Sequence, residues 1–295
     1  MNLIKREFFK VYLEILKKYS KNDLLICQTE YLIKNRVALN LKNPQEIAEK
    51  IHWLKLYYYD EKFKQIADKY ECRKYVEEKV GDHILVKNLG VYSKFDEIDF
   101  DALPNQFVLK GTHGSGYNLI VTNKESENFK EARYRFDKWL KQNYYYKFRE
   151  RVYKDIEPRI ICEQFLIDNE LNELVEYKFY CSNGKPFNVV VKAKEEGKYK
   201  MAYYNMDWVK IAPDDSTKNY LNREIKKPAN FEDMKVIASK LSEDFYFIRV
   251  DLYSVNGKIY FSELTFFPNG AMKRLMIEHM NKTMGEFVDI SHLVS

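Results

Sequence analysis

An arginine, two carboxylates and a threonine alternate near the end of the chain, as Arg249-x-Asp251 and then Glu263-x-Thr265. Asn256-Gly257 between them marks a turn, so residues 247–267 read as a β-hairpin. With a three-residue loop and Gly257 at the left-handed bulge position, Ser254 pairs with Lys258 and Arg249 sits opposite Glu263. Asp251 is then diagonal to Glu263, Thr265 continues the same face, and Ile248, Val250, Leu252 and Leu264 point into a core. A two-residue loop would put Asp251 and Glu263 on opposite faces and remove this reading. Under the first register the face suits Mg²⁺ bridging phosphate oxygens, with the guanidinium beside it to hold developing negative charge. An exposed hairpin face with a cross-strand ion pair is the equal alternative from this segment alone.

Further chemistry lies upstream. Lys110 precedes the loop Gly111-Thr112-His113-Gly114-Ser115-Gly116, whose backbone N–H groups can approach phosphate oxygens. No Gly-Lys-Ser/Thr closes this loop, and the β-type run Asn118-Leu119-Ile120-Val121 follows it. That excludes a Walker A loop and a dinucleotide fingerprint. What remains is a hairpin flap able to cover a nucleotide, or a plain long turn; His113 is a phosphate donor or a structural residue. In RIICEQFL, residues 159–166, an apolar strand ends beside Glu163, where its backbone can pair with an adenine edge. Asp168 and Glu170 follow at a distance suited to ribose hydroxyls. Lys178 shares a face with Glu176 and can reach phosphate, or can form an exposed cross-strand pair.

These groups need a scaffold. Residues 1–66 read as helical, with Phe8, Tyr12, Ile15 and Leu16 on one stripe and Ile47, Ile51, Leu54 and Tyr58 on another. Asn43-Pro44 opens the second of these in cap-then-proline order. A third helix is expected over 66–79, stopping at Gly81. Strands are expected over 106–110, 117–122, 159–166, 174–181 and 186–192, the last two joined at Asn183-Gly184. Ser126 is placed as the cap of a helix carrying Phe129, Ala132, Phe136 and Leu140. Phe231, Met234, Ile237, Ala238 and Leu241 give one more amphipathic helix. The pattern is α+β with mostly antiparallel strands.

Composition narrows the class. The 295 residues are 45% hydrophobic and 32% charged, an ordinary globular balance. The formal charge of +5, from 49 basic and 44 acidic residues, suits an anionic small substrate and is too weak to argue for nucleic acid. Cys27, Cys72, Cys162 and Cys181 form no CxxC pair and read as reduced, packed thiols of a cytoplasmic protein, not a zinc site. The N-terminus interrupts its apolar residues with charge, and is expected to be neither signal peptide nor membrane span.

Taken in order, the segments resemble the TupA-like ATP-grasp family of bacterial surface-polysaccharide gene clusters. The likeness is carried by DKYECRKYVEEKVG from Asp68, FVLKGTHGSGYN from Phe107, NYYYKFRE from Asn143 and EPRIICEQFL from Glu157. EYKFYCSNGKP from Glu176 and RVDLYSVNGKIYFSELTFFPNG from Arg249 complete it, over roughly 68–270. The resemblance implies an ATP-grasp fold, two α+β lobes clasping ATP, behind an N-terminal helical region. The expected division is 1–66 helical and 67–295 ATP-grasp, with the glycine flap in a lobe of about 96–165 and the metal-binding lobe at about 166–295.

The resemblance also implies roles. Lys69 and Lys110 match nucleotide lysines, with Gly111, His113, Gly114, Ser115 and Gly116 forming the flap. Glu163 and Phe165 lie on the adenine side, Glu170 is the ribose carboxylate, and Lys178 is a second phosphate contact. Asp251 and Glu263 match Mg²⁺ ligands, with Thr265 standing where the general pattern has Asn, which weakens a second metal. Arg249 matches the residue that steadies an acyl phosphate and the tetrahedral intermediate. The implied reaction is ATP-driven amide formation between a carboxylate, such as a uronic acid or its nucleotide sugar, and an amine or amino acid. Tyr203, Tyr204 and Trp208 could stack on a sugar or pack in the core, and Asp207 could meet the amine. A glycosyltransferase is the alternative, with Asp99-Phe100-Asp101 as its metal motif, but it leaves the flap and the hairpin carboxylates unexplained. A nucleotide-binding module without catalysis would lack Asp251, Glu263 or Lys110, all of which are present. A kinase that stops at phosphorylation is a variant of the ligase.

Overall fold

A computed structural model describes residues 3–213, 219–275 and 277–294, except for a few side chains near the start, Phe8 among them. Helices α1 (Leu3–Tyr19) and α2 (Asp23–Asn35) pack through Leu13 and Leu16 against Ile26 and Ile33, while Ile15, expected on that stripe, is exposed. In α3 (Ile47–Tyr57) the buried stripe is Ile47, Ile51 and Leu54, as the spacing implies. Its cap is Glu46 in a capping box with Glu49, so Asn43-Pro44 lies ahead of the helix rather than opening it.

The helix expected over 66–79 starts earlier and is broken, as α4 (Lys62–Ala67) and α5 (Cys72–Lys79). Asp68 causes the break. Its Oδ1 accepts from the backbone N–H groups of Tyr70 at 2.7 Å and Glu71 at 3.1 Å, competing with helix continuation. Lys69 is thereby placed in a bend.

The first sheet has the order β1-β4-β2-β3, all antiparallel: β1 (Asn88–Tyr92), β2 (Phe107–Gly111), β3 (Asn118–Val121) and β4 (Ile160–Gln164). Its strand β1 precedes residue 96, so the sheet begins upstream of the lobe boundary expected from sequence. Phe107, Leu109, Val121, Ile160 and Cys162 pack one face against α6 (Phe129–Leu140) through Ala132 and Phe136. Asn128, not Ser126, caps α6, accepting from the Glu131 N–H. Alternation leaves Val108, Lys110 and Glu163 on the other face. The short helix α7 (Tyr145–Phe148) follows α6.

The second sheet runs β10-β9-β5-β6-β7-β8, again antiparallel. Its strands are β5 (Glu176–Ser182), β6 (Lys185–Glu195), β7 (Lys198–Tyr204), β8 (Lys210–Ile211), β9 (Ile248–Val255) and β10 (Lys258–Thr265). Helix α8 (Phe231–Ser242) covers one face, Phe231 stacking on Phe179 with ring centroids 5.7 Å apart. The N-terminal helices dock on the C-terminal segment that contains α9 (Met280–Glu286), Lys50 donating to the carbonyls of Gly285 and Val288 at 2.8 Å each.

The β9–β10 hairpin differs from its expected register. Val255 pairs with Lys258, leaving the two-residue loop Asn256-Gly257, both at positive φ (50° and 77°). Such a turn matches the right-handed twist of the strands. Plain alternation would then split the carboxylates, but a bulge at Ser262 shifts the ladder by one residue. Beyond it Glu263 faces Asp251 directly, and Arg249 faces Thr265 rather than Glu263.

Candidate functional site

A cleft of about 580 Å³ lies between the free faces of the two sheets. The first sheet supplies Lys110 and Glu163, joined at 2.6 Å, with Arg73 at 3.4 Å from the same carboxylate. Burial works against the charge on Lys110, and Glu163 overcomes it, holding the ammonium above its ordinary value. The glycine loop forms the rim. Lys69 ties it down, its N–H donating to the Thr112 carbonyl at 3.2 Å and its ammonium to the Gly114 carbonyl. A Cβ on Gly114 would stand 2.7 Å from the Tyr144 ring, so the loop packs only without a side chain there. Gly116 has a φ of +85°, where glycine is at ease.

The second sheet forms the floor. Asp251 is 0% exposed. Arg249 grips it bidentately at 2.6 Å on each oxygen, and Lys178 Nζ donates to its Oδ2 at 2.5 Å. Lys178 also lies 2.8 Å from Glu176. Arg249 continues to Thr265 Oγ1 at 3.0 Å and Glu263 Oε1 at 3.2 Å. Burial pushes the Asp251 carboxyl up, and Arg249 and Lys178 oppose that push. Burial works against the charge on Lys178, but Asp251, Glu176 and Glu263 together hold it above its ordinary value. At Glu263 burial is overcome by Lys69, Lys178, Arg249 and Lys110, which bring the carboxyl to about 2. Cations from both sheets and from the α4–α5 bend therefore act on one carboxylate whose side chain is 28% exposed.

Of the residues singled out from sequence, Lys69, Lys110, Ser115, Gly116, Glu163, Phe165, Lys178 and Glu263 line this cleft. Arg249, Asp251 and Thr265 lie behind Glu263 and Lys178 in the hydrogen-bonded network. Others stand elsewhere. Gly111 and Gly114 are buried in the loop's packing, and His113 turns away from the cleft. Its Nε2 donates to the Trp139 carbonyl at 2.9 Å, and burial lowers its pKa. Glu170 is exposed on a turn shaped by Asp168, whose Oδ1 accepts from the Glu170 and Leu171 N–H groups at 3.0 Å. The acidic residue from this turn that reaches the cleft is Glu173, paired with Arg223.

Asp99-Phe100-Asp101 is a surface turn closed by Asp99 Oδ1, with Phe100 stacked on Phe129 at 4.0 Å, so it is no metal motif at the cleft. Tyr204 stacks on Trp208 at 4.5 Å and Tyr203 is buried, which is core packing, while Asp207 lies exposed on a turn outside the cleft. The four cysteines are buried free thiols, and burial raises Cys72 and Cys162 to about 12, which suppresses thiolate chemistry. Sequence reasoning missed Glu176, Tyr253, Ser262 and Arg73. Glu176 and Tyr253 were legible as same-face neighbours of Lys178 and Asp251; Arg73 carried no signal.

The oxygen donors of the hairpin have the chemistry of a hard-cation site, but their arrangement here does not fit one. Both Asp251 oxygens are engaged by cations of the chain, and among the described residues no cluster of three or more His, Cys, Asp or Glu side chains is disposed around a metal position.

The sequence profile of TupA-like ATP-grasp proteins matches residues 49–289. The chain belongs to the TupA-like ATP-grasp family. This TupA-like match begins inside α3, ahead of the boundary expected near residue 66. No curated protein matches the chain. Among solved structures, L-amino acid ligase from Bacillus licheniformis is similar at 12% identity and a TM-score of 0.47, over 76% of this chain and 50% of that one. D-alanine–D-alanine ligase from Bacillus anthracis is similar at 17% identity and 0.44, over 78% and 68%. The corresponding enzyme from Helicobacter pylori gives 14% and 0.41, the match spanning 76% of this chain and 61% of that one. No helix among the described residues is long and apolar enough to cross a membrane.

Proposed function

We propose that this chain is an ADP-forming carboxylate–amine ligase that binds ATP between its two sheets. The observation that carries the reading is the gathering of Lys69, Lys110 and Lys178 with Glu263 along one cleft beneath the glycine rim, with Arg249 on Glu263 at 3.2 Å behind them, a set of lysines that can turn to a polyanion. Phosphoryl transfer needs charge neutralised on the moving group, and preorganised cations supply it. Lys110 and Lys178 take the phosphates beneath the glycine rim at Ser115 and Gly116. Glu163 and Phe165 take the adenine side, and Glu173 stands in Glu170's expected place near the ribose. Mg²⁺ belongs to this reading as the ion carried by the nucleotide phosphates.

In the first step a substrate carboxylate oxygen attacks the γ-phosphorus and ADP leaves. An amine nitrogen then attacks the acyl carbon, inorganic phosphate departs, and the amine loses a proton as the amide forms. Arg249, which the resemblance gives to the tetrahedral intermediate, instead acts from behind the cleft, holding Asp251 and Glu263 in place. The rim excludes water from the acyl phosphate once nucleotide is bound. We extend the proposal, on the sequence resemblance, to a uronic acid or its nucleotide sugar as carboxylate and an amino acid or other amine as partner, in cytoplasmic assembly of a surface polysaccharide. The two sheets are the two lobes, the flap lobe extended upstream to include β1.

The test is ADP release from MgATP with paired carboxylates and amines, product masses being read in parallel. ADP formed only with both partners, and a product short of one water, supports the ligase. Sugar transfer from a nucleotide with ATP untouched contradicts it.

A further inference from the structure

The cationic side chains at the closed end of the cleft do two different jobs. Arg249 is a fixed clamp, planar and bidentate on Asp251 through Nε and Nη2, with the same Nη2 also reaching Glu263 and Thr265. Lys178 is a single ammonium on a flexible stem. It lines the cleft, yet its Nζ is turned into the floor, 2.5 Å from Asp251 Oδ2 and 2.8 Å from Glu176 Oε2. An ammonium between two carboxylates is what a bridging divalent ion would otherwise be. Lys192 reaches the same Glu176 oxygen at 3.3 Å, and Ser262 donates to its other oxygen at 3.3 Å. With Asp251 fully buried and each of its oxygens paired, no unshared position is left for an ion that demands oxygen ligands at about 2.0–2.6 Å.

We infer that Lys178 is an internal stand-in for a divalent cation, filling the Asp251–Glu176 bridge until phosphate groups draw it into the cleft. The opening step rests on the reading of the cleft as a nucleotide site. An ammonium and a divalent ion cannot share these two carboxylates, because their mutual repulsion at such distances is strong. Ion binding and nucleotide binding are therefore linked, each strengthening the other by the same factor. Glu176 is the positioning residue that parks Lys178 beside Asp251.

The experiment is a Mn²⁺ titration of the nucleotide-free protein, followed by the electron-spin resonance of the free aqueous ion. Lys178→Met is expected to bind Mn²⁺ about tenfold or more tightly than wild type, within the usual range of such couplings. Lys178→Arg, which keeps a cation in place, stays closed, and adding Asp251→Asn to Lys178→Met abolishes the gain. Wild type binding Mn²⁺ as tightly as Lys178→Met, or a gain that survives Asp251→Asn, overturns the inference. A wild-type crystal soaked in manganese without nucleotide gives the answer even where a variant does not fold. Lys178 still on Asp251, with no anomalous peak there, upholds the inference; a manganese peak on Asp251 with Lys178 displaced overturns it. AMP-PNP added to wild type is a separate arm. Absence of nucleotide binding overturns the cleft reading and the opening step with it, whatever Mn²⁺ does in Lys178→Met.

Discussion

Asp251 and Leu252 are neighbours on β9, both 0% exposed, and point to opposite faces of one sheet. Leu252 is held by apolar contact in the α8-covered core, with Val250 and Phe179 in the same cluster. Asp251 is held by three charge-assisted hydrogen bonds from Arg249 and Lys178. The first kind of burial is non-directional and tolerates repacking. The second fails as soon as one partner leaves, because a charge is then stranded away from water. One face of the sheet is thus built to stay shut, and the other to rearrange when a ligand offers better partners.

Substitutions on the two faces separate these two kinds of burial. Asp251→Asn strands Arg249 and Lys178, and is expected to cost about 3–5 kcal/mol in urea unfolding and to abolish ADP formation. Leu252→Ala is expected to cost a comparable 2–5 kcal/mol or so, yet the folded fraction keeps its nucleotide affinity, measured by calorimetry. Equal functional loss in the two would erase the distinction between the faces. Gly114→Ala must displace the Tyr144 ring, at about 1–3 kcal/mol of overpacking. Its effect should fall on nucleotide affinity, with the two sheets left intact by circular dichroism.

The smallest effect is in acid. The Glu263 carboxyl is lowered to about 2 in the folded chain from an ordinary 4.5. A lowered carboxylate contributes stability that is present above pH 4.5 and lost as pH falls toward 2. Glu263→Gln should therefore melt below wild type at neutral pH, flatten the fall in melting temperature across that window and converge on wild type toward pH 2. An acid limb identical to wild type would mean that Glu263 is not held by the cations around it.

Much of this arrangement was legible in the residues. The α8 stripe from Phe231 to Leu241, the Lys110 strand and the apolar side of β9 follow from hydrophobic period alone. The convergence of Asp251 and Glu263 was legible too, but not its device. Asn256-Gly257 allows two loop lengths, and the bulge at Ser262 that restores the common face is set by tertiary pairing with no sequence mark. Asp68 hid the α4–α5 break, because helical period runs through it while its side chain takes the backbone donors locally. His113 and Glu170 sit in loops, where position along the chain says little about direction in space. In each case a side chain found a partner distant in sequence or captured a backbone group, and neither event is periodic.

The most direct test of the central claim is calorimetric titration of the chain with AMP-PNP and Mg²⁺, wild type beside Lys110→Ala. The account predicts one nucleotide bound per wild-type chain and a loss of affinity of about tenfold or more without the lysine, in keeping with one charge-assisted contact. No binding to wild type, or undiminished binding to Lys110→Ala, would contradict it.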